Sequence, residues 1–299
     1  MPLRPLGLGD IYDAAFRIIR FNPRATVGSS VLVAAVAMAL PVLVATALTW
    51  TVDVRLDQSG TDLGAADLVG WMVSALQFVG TILVTGMVAH VAAAAAVGRR
   101  LSLGEAWRAT RGKRWRLIGL SFLLVLSAIV LFAAYGAAWF LVVLTTDGAA
   151  PLVIWGVLTV PVFVCLFLWL WFRVAYLPVP ALMLEDVGVF GALGRAFRLS
   201  HRQFWRIFGI ALLTVLITGV ASLVLSVPLT LIGVFAIAAV GPQYELLGLV
   251  VMQAVTSVVT AAFVAPFTGA VTALQYLDQR IRKEAYDVEL MTQAGITAS

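Results

Sequence analysis

Cysteine occurs once in the 299 residues, at Cys165, and charged side chains make up only 12% of the chain. One thiol excludes an internal disulfide framework, and the absence of any CxxC spacing excludes a cysteine metal centre. Cys165 stands mid-run in VFVCLFLW and reads as a small apolar packing residue. Histidine occurs twice, as His90 and His201, which is too little to supply the three or four ligands of a metal site. No metal and no cofactor is expected. Walker, GxSxG and HExxH motifs are missing as well. A soluble domain carries roughly 25% charged residues, about twice what is found here. Soluble enzymes, secreted disulfide scaffolds and disordered tails are therefore excluded.

Apolar residues fill the space that charge leaves. They make up 62% of the chain, and the mean hydropathy is +1.02. A membrane-crossing helix needs about 20 consecutive apolar residues. Six runs qualify, at approximately 26–50, 68–97, 117–144, 150–177, 207–239 and 243–277. They are too long and too continuous for the alternating pattern of a membrane barrel. Pro41, Pro161, Pro228 and Pro266 each fall inside a run, where bundle neighbours can satisfy the carbonyl that proline frees. Small residues crowd the second and sixth runs and allow close backbone approach. Trp50, Trp71, Trp115, Trp139, Trp155 and Trp205 fall near run ends, as in an interfacial aromatic belt.

The net charge is +5 and the pI about 9.8. In a soluble protein this balance would suggest nucleic acid, but its distribution indicates a membrane. Nineteen of the 20 lysines and arginines lie before the first run, in every second gap (Arg173 just inside the adjoining run), or after the last run. The intervening gaps hold only Arg55, with Asp53, Asp57, Asp62, Asp67, Asp147 and Glu245. Lysine and arginine accumulate on the cytoplasmic side. Both termini are thus expected in the cytoplasm, with the protein crossing the membrane several times. The opening MPLRPLGLGDIYD lacks the short apolar core of a cleavable signal peptide.

An internal repeat organises the chain. When Phe16, Trp107 and Phe197 are aligned, Gly7, Gly98 and Gly188 fall nine positions earlier and Gly28, Gly119 and Gly209 twelve later. Ala15, Ala106 and Ala196 precede the aromatics, and Arg17, Arg108 and Arg198 follow them. The chain reads as one membrane domain over 1–299, with units of about 7–97, 98–187 and 188–285 and a flexible cytoplasmic tail at 286–299. The expected fold is an all-α integral membrane protein. Each of its three pseudo-repeats is an interfacial amphipathic helix followed by a transmembrane hairpin. In the first unit Asp10, Asp13, Arg17, Arg20 and Arg24 recur at helical spacing opposite Tyr12, Phe16 and Ile19. In the third, Phe190, Leu193, Phe197 and Phe204 form an apolar stripe beside Arg195, Arg198 and Arg202. Such helices lie in the interface plane with arginine toward headgroups. The candidate lipid or partner contacts are Phe16, Arg17, Arg20, Trp107, Arg108, Arg111, Phe197, Arg198 and Arg202.

The opening PLRPLGLGDIYDAAFRIIRFNP and the closing ALQYLDQRIRKEAYDVEL resemble the ends of a bacterial family common in actinobacteria. That family is named for the glycerophosphoryl diester phosphodiesterase membrane domain. The resemblance covers nearly the whole chain and implies a six-span membrane domain, multi-pass in the inner membrane of a bacterial cell. Some family members carry a fused catalytic barrel that cleaves glycerophosphodiesters with acidic residues, histidines and a metal. This chain has no room for that barrel, so the resemblance implies a stand-alone membrane domain without that activity.

Polar groups within the runs are few. Gln77 and Gln253 sit deep in the second and sixth and read as interhelical hydrogen-bond partners. His90, near the inner end of the second run, reads as structural. Arg173, in WLWFRVAY, reads as snorkelling to phosphates, with a headgroup or substrate contact as the functional alternative. Glu185 and Asp186 could cap the third amphipathic helix, and His201 reads as solvated. The leading expectation is a non-enzymatic membrane protein, an envelope-associated scaffold or partner subunit that contacts anionic lipid. A protein partner or homo-oligomer is compatible with it; nucleic acid is not. A transporter or lipid permease is the alternative. A headgroup enzyme using Glu185, Asp186 or His201 is the weakest.

Overall fold

A computed structural model describes residues 6–51, 65–239 and 242–284. It is all-helical, with no strand among the described residues. The elements are α1 (Leu8–Phe21), α2 (Pro23–Thr51), α3 (Ala65–Ala96), α4 (Leu103–Ala109), α5 (Arg114–Thr145), α6 (Ala149–Leu170), α7 (Pro178–Leu184), α8 (Val189–Ser200), α9 (Phe204–Ala238) and α10 (Glu245–Glu284). A π-helical segment, Trp171–Ala175, joins α6 to α7, and a 3-10 turn, Pro242–Tyr244, precedes α10. Six helical stretches are long and apolar enough to cross a membrane, at Pro23–Trp50, Asp67–Ala96, Arg114–Thr145, Ala149–Leu184, Phe204–Ala238 and Glu245–Glu284. The proposed tail at 286–299 lies outside the described residues, as do Asp53, Arg55, Asp57 and Asp62.

The bundle is built around α2, α3 and α10, which pack on one another along much of their length. Glycine permits the close approach. A β-carbon at Gly269 of α10 would stand 3.1 Å from Val88 Cβ and 3.4 Å from Thr85 Cα on α3. The helix α9 lies along α10, while α5 touches α3, α7 and α8 through its first turns only. Leu117, Leu120, Ser121 and Leu124 of α5 are buried, and the rest of that helix is not. The outermost long helix is α6, which has no buried residue. Its contact with α5 is aromatic: Tyr135 stacks on Phe163 at 4.1 Å between centroids and shares a 3.0 Å hydrogen bond with Thr159. Cys165 is exposed on α6 and packs in no core, because that helix has neighbours on too few sides.

Two elements depart from the sequence reading. The fourth apolar run does not stay one regular helix. The chain widens into the π-helical segment Trp171–Ala175 and restarts at Pro178, which fixes a helical φ at N1 where no amide donor is needed. The resulting α7 is buried from Pro178 to Met183 and packs against α3 and α8. The sixth helix also runs on past residue 277 to Glu284, so the closing motif is helical through Glu284, the last of its described residues, and buried over most of that stretch.

One burial pattern recurs. Thr26, Ser29, Ser30 and Val33 of α2 are buried, as are Leu117, Leu120, Ser121 and Leu124 of α5 and Ile207, Ile210, Ala211 and Thr214 of α9. Each quartet falls 10, 13, 14 and 17 residues after Phe16, Trp107 or Phe197, the helical spacing of a single inward stripe.

Candidate functional site

The lysines and arginines of the described residues gather at one end of the bundle, where α1, α4 and α8 lie. In each of these short helices one alanine is wholly buried, Ala15, Ala106 or Ala196 at 0% exposure. The aromatic that follows is turned outward, Phe16 at 53%, Trp107 at 40% and Phe197 at 43%. The next residue, Arg17, Arg108 or Arg198, is exposed. Each ring keeps one neighbour. Phe16 meets Phe267 of α10 at 5.0 Å, the Arg114 guanidinium lies 4.1 Å over Trp107, and the Arg173 guanidinium lies 4.2 Å over Phe197. The long helices α2, α5 and α9 then begin seven residues beyond the aromatic, at Pro23, Arg114 and Phe204.

Local sequence sets the helix starts. At α4, Ser102 and Glu105 form a capping box: the Ser102 N–H donates to Glu105 Oε2 at 2.7 Å, and the Glu105 N–H donates to Ser102 Oγ at 3.3 Å. The Ser102 backbone and hydroxyl donors hold the Glu105 carboxyl below its usual range. At α1 the Gly7 N–H donates to Asp10 Oδ2 at 3.0 Å. No side chain caps α8, whose N-cap is Gly188. The expectation that Glu185 or Asp186 caps it is corrected, since both are drawn into ion pairs.

Those pairs divide the basic residues into two classes. Glu185 binds Arg195 at 2.9 Å and Arg280 at 3.4 Å and accepts from the Tyr276 hydroxyl. Arg195 also reaches Glu284. Burial works against the Arg195 charge, but the hydrogen bonds it donates to the Glu185 and Glu284 carboxylates outweigh it and raise its pKa. Asp278, with 0% side-chain exposure, pairs with Arg206 and with Arg282 at 3.1 Å and accepts from the Leu6 N–H at 2.8 Å. The Lys113 ammonium donates to the carbonyls of Met183 and Glu185, and burial lowers its pKa. Asp186 pairs with Arg116 at 3.1 Å. Part of the positive charge counted in the sequence is therefore neutralised within the fold. Arg17 is partly offset by Asp13 at 2.7 Å, in a cleft of about 420 Å³ that Asp10 also lines. Arg20, Arg111, Arg198 and Arg202 are exposed and have no ion-pair partner among the described residues. All nine candidate lipid or partner contacts are exposed at this end.

The polar residues within the long helices fall in separate places. Gln77 of α3 donates to Ser257 Oγ of α10 at 2.5 Å, an interhelical bond. Gln253 donates to the same oxygen at 3.3 Å from within α10 itself. His90 is half-buried on α3. Arg173, in the π segment, lies between the Trp169 and Phe197 rings, and its Nε is buried without a partner. His201 is exposed in the turn between α8 and α9. Among the described residues no cluster of three or more His, Cys, Asp or Glu side chains could hold a metal. The residues that sequence reasoning missed are Tyr276, Asp278 and the buried Gln275 and Gln279. Their only signal was a closing motif too polar for an ordinary span end.

A family model described as a domain of unknown function, DUF7847, matches residues 14–278. No curated protein and no solved structure matches the chain.

Proposed function

The chain belongs to the DUF7847 family, and from that premise we propose that it is a non-enzymatic, multi-pass protein of the bacterial inner membrane. A ring of basic amphipathic helices would hold anionic lipid at the cytoplasmic leaflet, making the protein an envelope-associated scaffold or partner subunit. The observation that carries this reading is the shared geometry of α1, α4 and α8: a buried alanine, an exposed aromatic and an exposed arginine, at one end of the bundle. An aromatic ring at headgroup depth beside an arginine suits an interface. The exposed leucines, valines and phenylalanines along α5, α6 and α9 need hydrocarbon around them, since apolar patches of that extent are rare on proteins in water. The repeated start of the long helix and its repeated buried quartet support three pseudo-repeats. On this reading both termini are cytoplasmic. Kinship with the glycerophosphoryl diester phosphodiesterase membrane domain remains part of the proposal, and it rests on the two end motifs, which meet where Leu6 binds Asp278.

Quenching of tryptophan fluorescence by brominated phosphatidylglycerol, against brominated phosphatidylcholine, tests the lipid reading. Substituting glutamine at Arg20, Arg111 and Arg198 orphans no carboxylate. Each replacement is expected to weaken the anionic preference about fivefold, as roughly 1 kcal/mol per basic residue requires. Equal quenching of the unsubstituted protein by both lipids would overturn it.

A further inference from the structure

The cleft at the centre of the bundle belongs to none of this. It measures about 340 Å³ and lies between α2, α3 and α10, lined from Ser30 to Met38 of α2, from Gln77 to Val84 of α3 and from Gln253 to Thr268 of α10. Ser30, Gln77, Gln253, Ser257, Thr260 and Thr268 line it, with alanines and valines between them. We propose that this cleft is a binding site for a small uncharged solute that carries several hydroxyl or amide groups. It shares no element face with the aromatic–arginine ring and stands independently of the lipid reading.

The donor and acceptor inventory points to that class of ligand. Ser257 Oγ receives N–H donations from both Gln77 and Gln253. Its two lone pairs are then engaged, and its own proton remains to be donated. The carbonyl oxygens of the two glutamines accept nothing among the described residues. Thr260 Oγ1 is buried and has no partner. Ser30 and Thr268 spend their protons on helix carbonyls but keep acceptor capacity. A ligand here must therefore both accept and donate, as a hydroxyl or amide does. No Asp, Glu, Lys, Arg or His lines the cleft, so an ion would lose its hydration with no countercharge to replace it. At about 30 Å³ per water, the space equals roughly ten waters, enough for a compact polyol.

The same face of α10 carries further unmet polar groups. Thr268, Gln275 and Gln279 lie within about 20° of one line at 100° per residue. Gln275 is 1% exposed, and neither end of its amide has a partner; Gln279 Oε1 is buried and unpartnered too. Buried polar groups are paired in the great majority of cases. Gln275 and Gln279 lie on this face beyond the cleft lining, so the open valences that bear on an occupant are those of Thr260 and of the two lining glutamines.

Thiol chemistry provides the test. A cysteine reacts through its thiolate, which forms in a polar setting and not in hydrocarbon. The full chain with Cys165→Ser and Thr256→Cys, which places the thiol on the cleft wall and leaves the Gln77–Ser257–Gln253 hub intact, is treated in proteoliposomes with N-ethylmaleimide in the presence or absence of erythritol. We expect the thiol to react, and its rate to fall about tenfold at an erythritol concentration ten times the Kd, with no protection by inorganic phosphate. An unreactive thiol would overturn the proposal, because it would mean the cleft is filled by hydrocarbon or a helix. Labelling that erythritol does not slow, or that phosphate slows equally, would overturn the ligand class. The Ala261→Cys variant, also on the cleft wall, repeats the measurement should Thr256→Cys fail to fold. Equilibrium dialysis of labelled erythritol against the unsubstituted chain and Gln77→Leu provides a readout free of cysteine, and equal retention by the two overturns the site.

Discussion

Asp278 has no exposed side-chain surface, yet it meets Arg206, Arg282 and the Leu6 N–H. Removing its charge leaves two guanidiniums facing an amide. Replacement with asparagine is expected to cost about 3 kcal/mol, near the lower end for a broken buried pair because both arginines are partly exposed. Thermal unfolding in detergent reads this, with Asp13→Asn as the comparison. The Asp13–Arg17 pair is exposed and contributes less than about 1 kcal/mol. Arg202 shows the opposite economy. Its φ of +64° lies in the left-handed region, a position that Gly112 takes, at +83°, in the same register before α5. A non-glycine residue there costs about 1–2 kcal/mol. Arg202→Gly should leave the unfolding temperature unchanged or higher while weakening the anionic-lipid preference. A fall in unfolding temperature would show that the arginine side chain stabilises the turn. Neither behaviour could be read from the sequence, because arginine counts do not reveal which carboxylate lies opposite or which φ the chain adopts.

At the scale of elements, the long helices were legible. Each is an unbroken apolar run of spanning length, and the four internal prolines sit within helices as expected. The run ends were less so. α7 is short and wholly apolar, and periodicity cannot separate it from the run before it; Pro178 was its only mark. Helix contacts were legible only as a bias toward small residues. Gly269 and Gly136 look alike in sequence. Yet a β-carbon at Gly269 would press on Val88 and the Thr85 backbone, and at Gly136 it would meet nothing within 4 Å. Gly269→Val is therefore expected to destabilise by about 1–3 kcal/mol, whereas Gly136→Val should change the unfolding temperature little. Comparable losses at both sites would refute the close α3–α10 contact.

Across the whole molecule, the short helices close a ring. α4 packs on α2 and α3, and α8 packs on α7 and α5. α1 packs on α10 from the far end of the chain and reaches α9 through the Tyr12 hydroxyl, which donates to the Ile210 carbonyl at 2.9 Å. On the three-unit reading, each amphipathic helix thus docks on the hairpin of the unit before it, with the first unit docking on the last. A topology follows that reporters can check. A periplasm-active reporter inserted at Gly148 should be active, and one at the C-terminus should not. The reverse pattern would sink the orientation drawn from the basic residues.

Amino-acid order alone established that the chain is helical, with six apolar runs long enough to cross a membrane and basic residues in alternate gaps, because run length and residue order need no tertiary partner. Tertiary structure decided which arginines are neutralised and which remain open, that α1 closes onto α9 and α10, and that Ser257 gathers two glutamines beside a polar cleft. Hydrogen bonds and ion pairs between residues 70 to 272 positions apart leave no periodic trace in the sequence. They exist only once the helices have fixed the distances.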